Sequence, residues 1–418
     1  MRRVDLTIER LSKSGDGVAL LDGRAVFVAG ALPGETVRVD LAESGKALHA
    51  ELIEVLAPSP SRLTPSCALA TTCGGCDWMH VSVSTQLEQK QQIVTSTLEH
   101  LGGLGADRYE LLPTVTSPQA LGYRRRAVLH PAQGKLGFFG RKSHLRVPVD
   151  RCPALTSSLE ALPGRLAELL QGALKDVEEV HLLECEGRVS ISVHLTGQAK
   201  AKHREAMALL LRDGQLDGAA LVPEHGKGGT ETFGKPVLEE DGVLYRPDGF
   251  AQANAEVNRA LVRQAIELLD PMPNASVLEL YSGNGNFTFK LAARSAQVLA
   301  VESSSISVQL AQEAGRKHGV PNVRFIQGDC AKIADGLVRE GQRFDRVLLD
   351  PPRTGAEGAG RWAAKLLATR VVYVACDPAS LARDAAELVR EGYAPVALQL
   401  FDLFPQTHHV EAVMAFSR

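Results

Sequence analysis

Val371-Val-Tyr-Val-Ala-Cys376-Asp-Pro378, followed by Ala379-Ser-Leu-Ala-Arg-Asp384, decides the fold of the C-terminal third. The Val- and Tyr-rich run reads as a buried strand, Asp377-Pro378 breaks it, and an Ala-, Leu- and Arg-rich helix follows. One thiol is thereby set at the C-terminal end of a strand, just before a helix, where open α/β sheets bind their ligands. A helix N-terminus lowers a thiol's pKa and only the thiolate attacks, so Cys376 is a candidate nucleophile. Alone it would read as a small apolar core residue. The surrounding chain decides between the two.

From about Val243 to Arg418 strand and helix alternate. Strands are expected at Ser276–Leu280, Gln297–Val301, Val323–Gln327, Arg346–Leu349, Val371–Ala375, Val396–Asp402 and Val410–Ser417. Helices between most of the first five predict a doubly wound sheet, and the short loop before the last strand predicts an antiparallel end. The first strand-to-helix turn, Glu279-Leu-Tyr-Ser-Gly283-Asn-Gly285-Asn286-Phe287, lets a ligand approach its backbone and offers free N–H groups. Thr288 stands where a dinucleotide fingerprint needs its third glycine. Glu302 ends the second strand, where a carboxylate takes ribose hydroxyls. Asp329 ends the third and Asp350, in Asp350-Pro-Pro-Arg353, the fourth. This acidic series without a phosphate-binding lysine suits S-adenosylmethionine, with its sulfonium cation, better than NAD. Methyltransferases acting on exocyclic amines tend to carry Asn-Pro-Pro-aromatic where this chain has Asp350-Pro-Pro-Arg, so a different acceptor is expected. Glu411 opens the last strand, where an isolated acid is usually a surface group.

Residues 1–58 read as five short strands with turns at Asp22-Gly23 and Pro33-Gly34, an OB-type β-barrel of the kind that often carries RNA. Seven Lys/Arg against nine Asp/Glu give that barrel no basic surface, so a docking or spacer role is an equal reading. After the linker Ala57-Pro-Ser-Pro-Ser-Arg62 comes Cys67-x5-Cys73-Gly-Gly-Cys76, three thiols with glycines that let the backbone wrap a metal. The second knuckle of a zinc site is missing. Cys152, in Arg151-Cys152-Pro153, is read as the fourth ligand, and its proline is of the kind that follows cluster-ligating cysteines, which favours a 4Fe–4S cluster over zinc. Cys185 and Cys330 read as ordinary buried residues. In Leu121–Arg151 eight Lys/Arg face one acid, Asp150, a local +7 with Tyr123, Phe138 and Phe139 interleaved. With no balancing acids nearby, that reads as an RNA-backbone footprint rather than a solvated face.

The formal net charge of −3 over 418 residues excludes a globally basic nucleic-acid binder, so the RNA signal is local. Seven cysteines, an odd number, argue for a reducing compartment with catalytic or metal-bound thiols. Met1-Arg-Arg-Val-Asp-Leu has no apolar run behind it and no stretch reaches membrane-span length, so a cytoplasmic chain without signal peptide, membrane or obligate protein partner is expected.

Together these motifs resemble the RNA (uracil-5-)-methyltransferases, in particular those that join a TRAM domain and an iron–sulfur cluster and act on 23S ribosomal RNA. The resemblance spans essentially the whole chain: the opening barrel, the four cysteines, Phe250-Ala-Gln252-Ala-Asn254, the glycine turn, Asp350-Pro-Pro-Arg353, the Cys376 strand and His409-Val-Glu411. It implies an α/β multidomain protein: a TRAM domain at 1–58, a central mixed α/β domain with the cluster and the basic segment at 63–242, and a Rossmann-like methyltransferase domain at 243–418. It implies Cys67, Cys73, Cys76 and Cys152 as 4Fe–4S ligands, and Gln252, Tyr281, Asn286, Glu302, Asp329 and Asp350 as the S-adenosylmethionine site. Cys376 would be the nucleophile that adds to uracil C6, and Glu411 the base that removes the C5 proton. The chain departs from the family at Asp377, where Asn is common, at Ser282, where Cys is common, and at Arg125, where Asn often stands. An acid at Asp377 would raise the pKa of the neighbouring thiol. The expected product is 5-methyluridine in 23S rRNA. The competing expectations are the same reaction on tRNA or another rRNA uridine, a non-catalytic RNA-binding protein, and a small-molecule methyltransferase, against which the +7 segment counts.

Overall fold

The structure, a computed structural model, describes residues 2–42 and 48–418. At the N-terminus six strands form one sheet. Thr36–Ala42 shows the alternation that makes a half-buried strand, with Val37, Val39 and Leu41 turned inward against Leu6, Ile8, Val26 and Val28. Where the alternation at Val4–Leu11 predicts one opening strand, there are two pieces, Arg2–Thr7 and Arg10–Leu11. The linker is tied back onto this domain: buried Glu35 accepts from the Leu32 and Ser59 amides and pairs with Arg62.

The central domain is a seven-stranded sheet running from Arg146–Pro148 at one edge, through Arg126–Ala132, Val177–Cys185 and Arg188–Leu195, to Glu231–Gly234. Helices Leu162–Leu169 and Ala201–Arg212 cover one face, on which Val180, Leu182, Ile191 and Val193 are buried.

The C-terminal sheet has eight strands. Val323–Gln327, Gln297–Glu302, Ser276–Leu280, Arg346–Leu349 and Arg370–Ala375 lie parallel in that spatial order. Glu411–Ser417 and then Ala394–Phe401 continue it as an antiparallel pair. Strand order turns back between Ser276–Leu280 and Arg346–Leu349, which opens a crevice at their C-terminal ends. Apolar layers close both faces, one around Leu278, Val371 and Leu381, the other around Val257, Phe287 and Val413.

One expected boundary is corrected. Helix Val83–Gly102, assigned to the central domain, buries Val94 and Leu98 in the C-terminal core beside Leu381 and Ala385 of helix Pro378–Arg390. Strand Glu110–Leu111 then adds itself parallel to Ala394–Phe401 as the sheet's edge. The C-terminal body therefore takes a second contribution from upstream chain. Buried Lys90 clamps it by pairing with Asp402 at 2.6 Å, and the Gln86 amide donates to the Gln406 side chain at 3.0 Å. Among the described residues no helix is long and apolar enough to cross a membrane.

Candidate active site

Cys376 follows the last residue of Arg370–Ala375, and Glu411 is the first of the neighbouring Glu411–Ser417. Ala375 pairs with Ala412, so the next step of the antiparallel register sets Cys376 opposite Glu411. Asp350 follows Arg346–Leu349, on the other side of the Cys376 strand, and its amide donates to Leu280 O at 3.3 Å. Three strand ends thus bring thiol, carboxylate and carboxylate to one mouth of the crevice.

The charges there act on each other. Burial pushes the Cys376 thiol up to about 12, Glu411 and Asp350 add to the rise, and Arg353 opposes it. Burial likewise lifts Glu411 well above the usual carboxylate range, with Asp350 adding and Arg353 opposing. Asp350 rises to about 7 through burial and Glu302. The expectation that a helix N-terminus would hold the thiol low is overturned: withdrawal from water and two facing acids outweigh the half-charge of the helix end. Asp377 is not the acid responsible. Its side chain caps helix Pro378–Arg390, accepting from the Ala379 and Ser380 amides at 3.0 and 2.9 Å.

Of the six residues expected to line the cofactor site, Tyr281, Glu302, Asp329 and Asp350 follow or end the parallel strands, Asn286 lies in the glycine turn, and Gln252 lies in the segment before helix Ala255–Leu269. Tyr281 takes a left-handed φ of 64° at the start of the glycine turn. Glu302 accepts from the Gly283 amide at 3.0 Å and the Ser304 amide at 2.7 Å, fixing both the turn and the next helix. Asn286 exchanges side-chain hydrogen bonds of 3.0 and 3.1 Å with Asn258. Gln252 is buried, and its carbonyl accepts from Arg125 Nε. Asp329 is exposed and caps helix Cys330–Arg339. Gly285 is required as glycine, since at φ 98° a Cβ would sit 2.7 Å from the Phe289 ring.

Sequence reasoning missed Glu279. It is fully buried, no hydrogen bond of good geometry reaches its carboxylate oxygens, and burial pushes it up to about 8, with the nearby Thr288 hydroxyl opposing and Asp350 and Glu302 adding to the rise. Its signal was an acid inside the otherwise apolar strand Ser276–Leu280. An orphaned buried carboxylate beside two further acids fits a ligand that carries a cation into the crevice.

Cys67, Cys73, Cys76 and Cys152 line one cavity of about 390 Å³, together with Phe138 and Phe139. The Cys73 strip is held by Gly74, whose amide donates to Phe139 O at 3.0 Å. Cys76 is pushed up to about 12 by burial and then by the neighbouring Cys152. Cys185 and Cys330 are buried, away from that cavity. The cysteine loop is tied to the loop before strand Glu411–Ser417: Asp77 accepts from the His408 amide at 3.1 Å and pairs with its ring, and the Trp78 amide donates to Gln406 O. Trp78 Nε1 donates to Gly15 O of the N-terminal domain. A Cβ at Gly15 would meet His408 Cβ at 2.7 Å, so all three parts close on one glycine.

The basic segment departs most from expectation. Arg125 is buried and paired with Glu240, Lys142 with Asp16, Lys135 with Asp150 and Arg151 with Glu160. Two of these acids, Asp16 and Glu240, come from distant chain, and with Glu160 they offset three of the seven charges, while Arg124, Arg126, Arg141 and Arg146 pair with no carboxylate among the described residues. Tyr123 is buried and donates to Pro405 O, which leaves Phe139 as the exposed ring of the three.

A profile of the tRNA (Uracil-5-)-methyltransferase family matches residues 238–418, and one of the TRAM domain matches residues 2–52. A protein of Alkalilimnicola ehrlichii named 23S rRNA (uracil(1939)-C(5))-methyltransferase RlmD is 36% identical, covering 99% of this chain and 96% of its own. One of the same name from Pseudomonas fluorescens is 36% identical over 98% of this chain and 93% of its own. The crystal structure of the Pyrococcus abyssi tRNA (uracil-54, C5)-methyltransferase with S-adenosyl-L-homocysteine superposes with a TM-score of 0.76 at 24% identity, covering 99% of this chain and 100% of that one, and shares the fold. With full-length relatives at this identity and a TRAM domain at its N-terminus, the chain belongs to the RNA (uracil-5-)-methyltransferases, S-adenosylmethionine-dependent enzymes of the class I methyltransferase fold.

Proposed function

We propose that this chain methylates C5 of a uridine in 23S ribosomal RNA, giving 5-methyluridine, with Cys376 as nucleophile and Glu411 as base. The observation that carries the chemistry is the placement of Cys376 opposite Glu411 on adjoining strands, with Asp350 beside them. Full-length relatives bearing the 23S rRNA name support the substrate.

Uracil C5 is a poor carbon nucleophile inside a stacked base. Unstacking the target uridine costs roughly a few kcal/mol, and only then can a side chain reach it. Cys376 adds as thiolate to C6, and the displaced electron pair makes C5 enolate-like. S-adenosylmethionine supplies an electrophilic methyl group on a sulfonium. C5 takes that methyl group as its bond to sulfur breaks, leaving the neutral thioether; Glu411 then takes the C5 proton, the C6–S bond breaks, and the C5–C6 double bond and the thiolate return. Asp350, raised to about 7, can hold a proton against the uracil edge. The crevice residues fit the cofactor: Glu302 suits ribose hydroxyls, the buried Glu279 carboxyl is one that a nearby sulfonium would hold ionised, and Gln252, Tyr281, Asn286 and Asp329 complete the lining.

Cys67, Cys73, Cys76 and Cys152 are the ligands of a 4Fe–4S cluster in this reading. Four thiols around one cavity supply the donor set, and they do not close to the spacing of ligands about a single ion. Its role is structural, holding the Cys76-Asp77-Trp78 loop against the Gln406–His408 loop that leads into the strand beginning at Glu411. The N-terminal TRAM domain, read as an OB-like barrel, and the exposed Phe139 serve RNA contact.

The test is tritium release from C5-labelled uridine in full-length 23S rRNA and in tRNA, supplied separately with S-adenosylmethionine. Release from 23S rRNA with one labelled-methyl site per molecule is expected. Release from tRNA in preference would overturn the substrate, and release from neither would overturn the activity.

A further inference from the structure

Outside the crevice and the cysteine cavity lies a second cluster of metal-ligating side chains. Glu179 and His181 stand on Val177–Cys185, and His194 on Arg188–Leu195, where Glu179 and His194 are register partners. Their alternating neighbours Val180, Leu182 and Val193 fill the helix-covered core, so these three share the opposite face of the sheet. One donor atom from each lies within 4.8 Å of the other two. Glu179 Oε1 is 2.7 Å from His181 Nε2, and the two imidazole rings are 4.8 Å apart between centroids.

His181 is only 8% exposed, and its Nδ1 has no hydrogen-bond partner. His194 Nε2 is also enclosed without one. Asp248 Oδ2 lies 3.9 Å from that nitrogen, beyond hydrogen-bonding range, and Arg246 holds the carboxylate at 2.8 Å. A simple ion pair accounts for Glu179 and His181. It leaves His194 directed at acids it does not bond. Ligands about 2.0–2.2 Å from one zinc ion lie within about 4 Å of each other, and imidazole with carboxylate is a donor set for first-row divalent metals.

We propose that Glu179, His181 and His194, with Asp248 as fourth ligand, bind a divalent transition-metal ion of the zinc class, independently of the four cysteines. On binding, the proton that His181 shares with Glu179 is released to water and the nitrogen lone pair goes to the metal. Asp248 sits between strand Val243–Tyr245 and Gln252, so the ion staples the central sheet to the segment that carries Gln252 to the crevice. The partial exposure of Glu179 and His194 leaves an entry path.

The experiment uses full-length protein with its cysteine-bound metal in place, titrated with Co2+ and then competed with Zn2+. Expected is one Co2+ per chain whose absorption shows d–d bands without thiolate-to-cobalt charge transfer, displaced by Zn2+. His194→Gln and Glu179→Gln should each weaken that binding about tenfold or more, as even loss of supporting contacts around a metal does. Zn2+ should raise the melting temperature of the parent protein and not of these variants, whose metal-free melting temperatures match it. Cobalt uptake only with thiolate charge transfer, no uptake, or equal uptake by both variants would overturn the site.

Discussion

The molecule carries two sets of thiols raised by burial, and they differ in what faces them. Around Cys73, Cys76 and Cys152 the acidic neighbours are other thiols, so each ionisation opposes the next, with Arg124 the opposing cation. Around Cys376 they are Glu411 and Asp350, with Arg353 the one opposing cation. The first arrangement is relieved by a metal core that takes all four sulfurs as thiolates at once. The second keeps one sulfur protonated until a ligand enters, which protects a nucleophile from oxidation and idle alkylation. Thiols that oppose one another's ionisation make a holder; one thiol among acids makes a gated reagent.

Substitutions can break that contrast. Cys376→Ala should lower methylation by about four orders of magnitude or more, while S-adenosylmethionine binding, measured by calorimetry, stays at the parent value. Loss of cofactor binding in that variant would return Cys376 to a packing role. Glu411→Gln should cut turnover by about 10²–10⁴ and let the covalent RNA adduct accumulate on a denaturing gel, because addition to C6 does not need the base but release does. Cys76→Ala should act through stability: iron content and melting temperature fall, while the rate per folded molecule drops far less than with Cys376→Ala. Equal losses from the two cysteine variants, at equal folded fraction, would erase the distinction.

A fourth substitution sharpens the electrostatics. Ionised Cys376 and ionised Glu411 are the reactive forms, so the rate should climb with pH through their raised values. Arg353 favours both ionised forms. Arg353→Met removes that help, both groups rise further, and the ascending limb of the kcat/KM profile should move to higher pH. Arg353 is exposed and solvent screens it, so the move should stay under about one pH unit. A shift to lower pH would contradict the assignment of these two groups.

Local pattern made much of this legible. Period-two and apolar runs located Ser276–Leu280, Val323–Gln327 and Arg346–Leu349 with the bounds they have. Locating the strands also located the candidate residues at their ends, Glu302, Asp350 and Cys376, whereas Glu411 reads as a surface acid from local pattern and enters only through the family resemblance. What escaped depends on partners far away in sequence. The basic segment lacked acids only locally, since Glu240 and Asp16 reach it through the fold. Helix Val83–Gly102 has an apolar face that names no partner, and Val94 and Leu98 on it dock on Pro378–Arg390, far along the chain. Asp377 carried a charge whose effect on Cys376 depended on its direction, and it turns to the helix amides. Glu279 was hidden by the assumption that a strand interior is apolar.

The central claim is that Cys376 forms and then breaks a bond to uracil C6 in ribosomal RNA. The direct measurement replaces uridine by 5-fluorouridine in 23S rRNA, adds the protein with S-adenosylmethionine, and sequences the RNA that stays with the protein through denaturation. Fluorine at C5 cannot leave as a proton, so the account predicts one trapped nucleotide, joined through Cys376 and absent with Cys376→Ala. No denaturation-resistant complex, with cofactor binding intact, would contradict it.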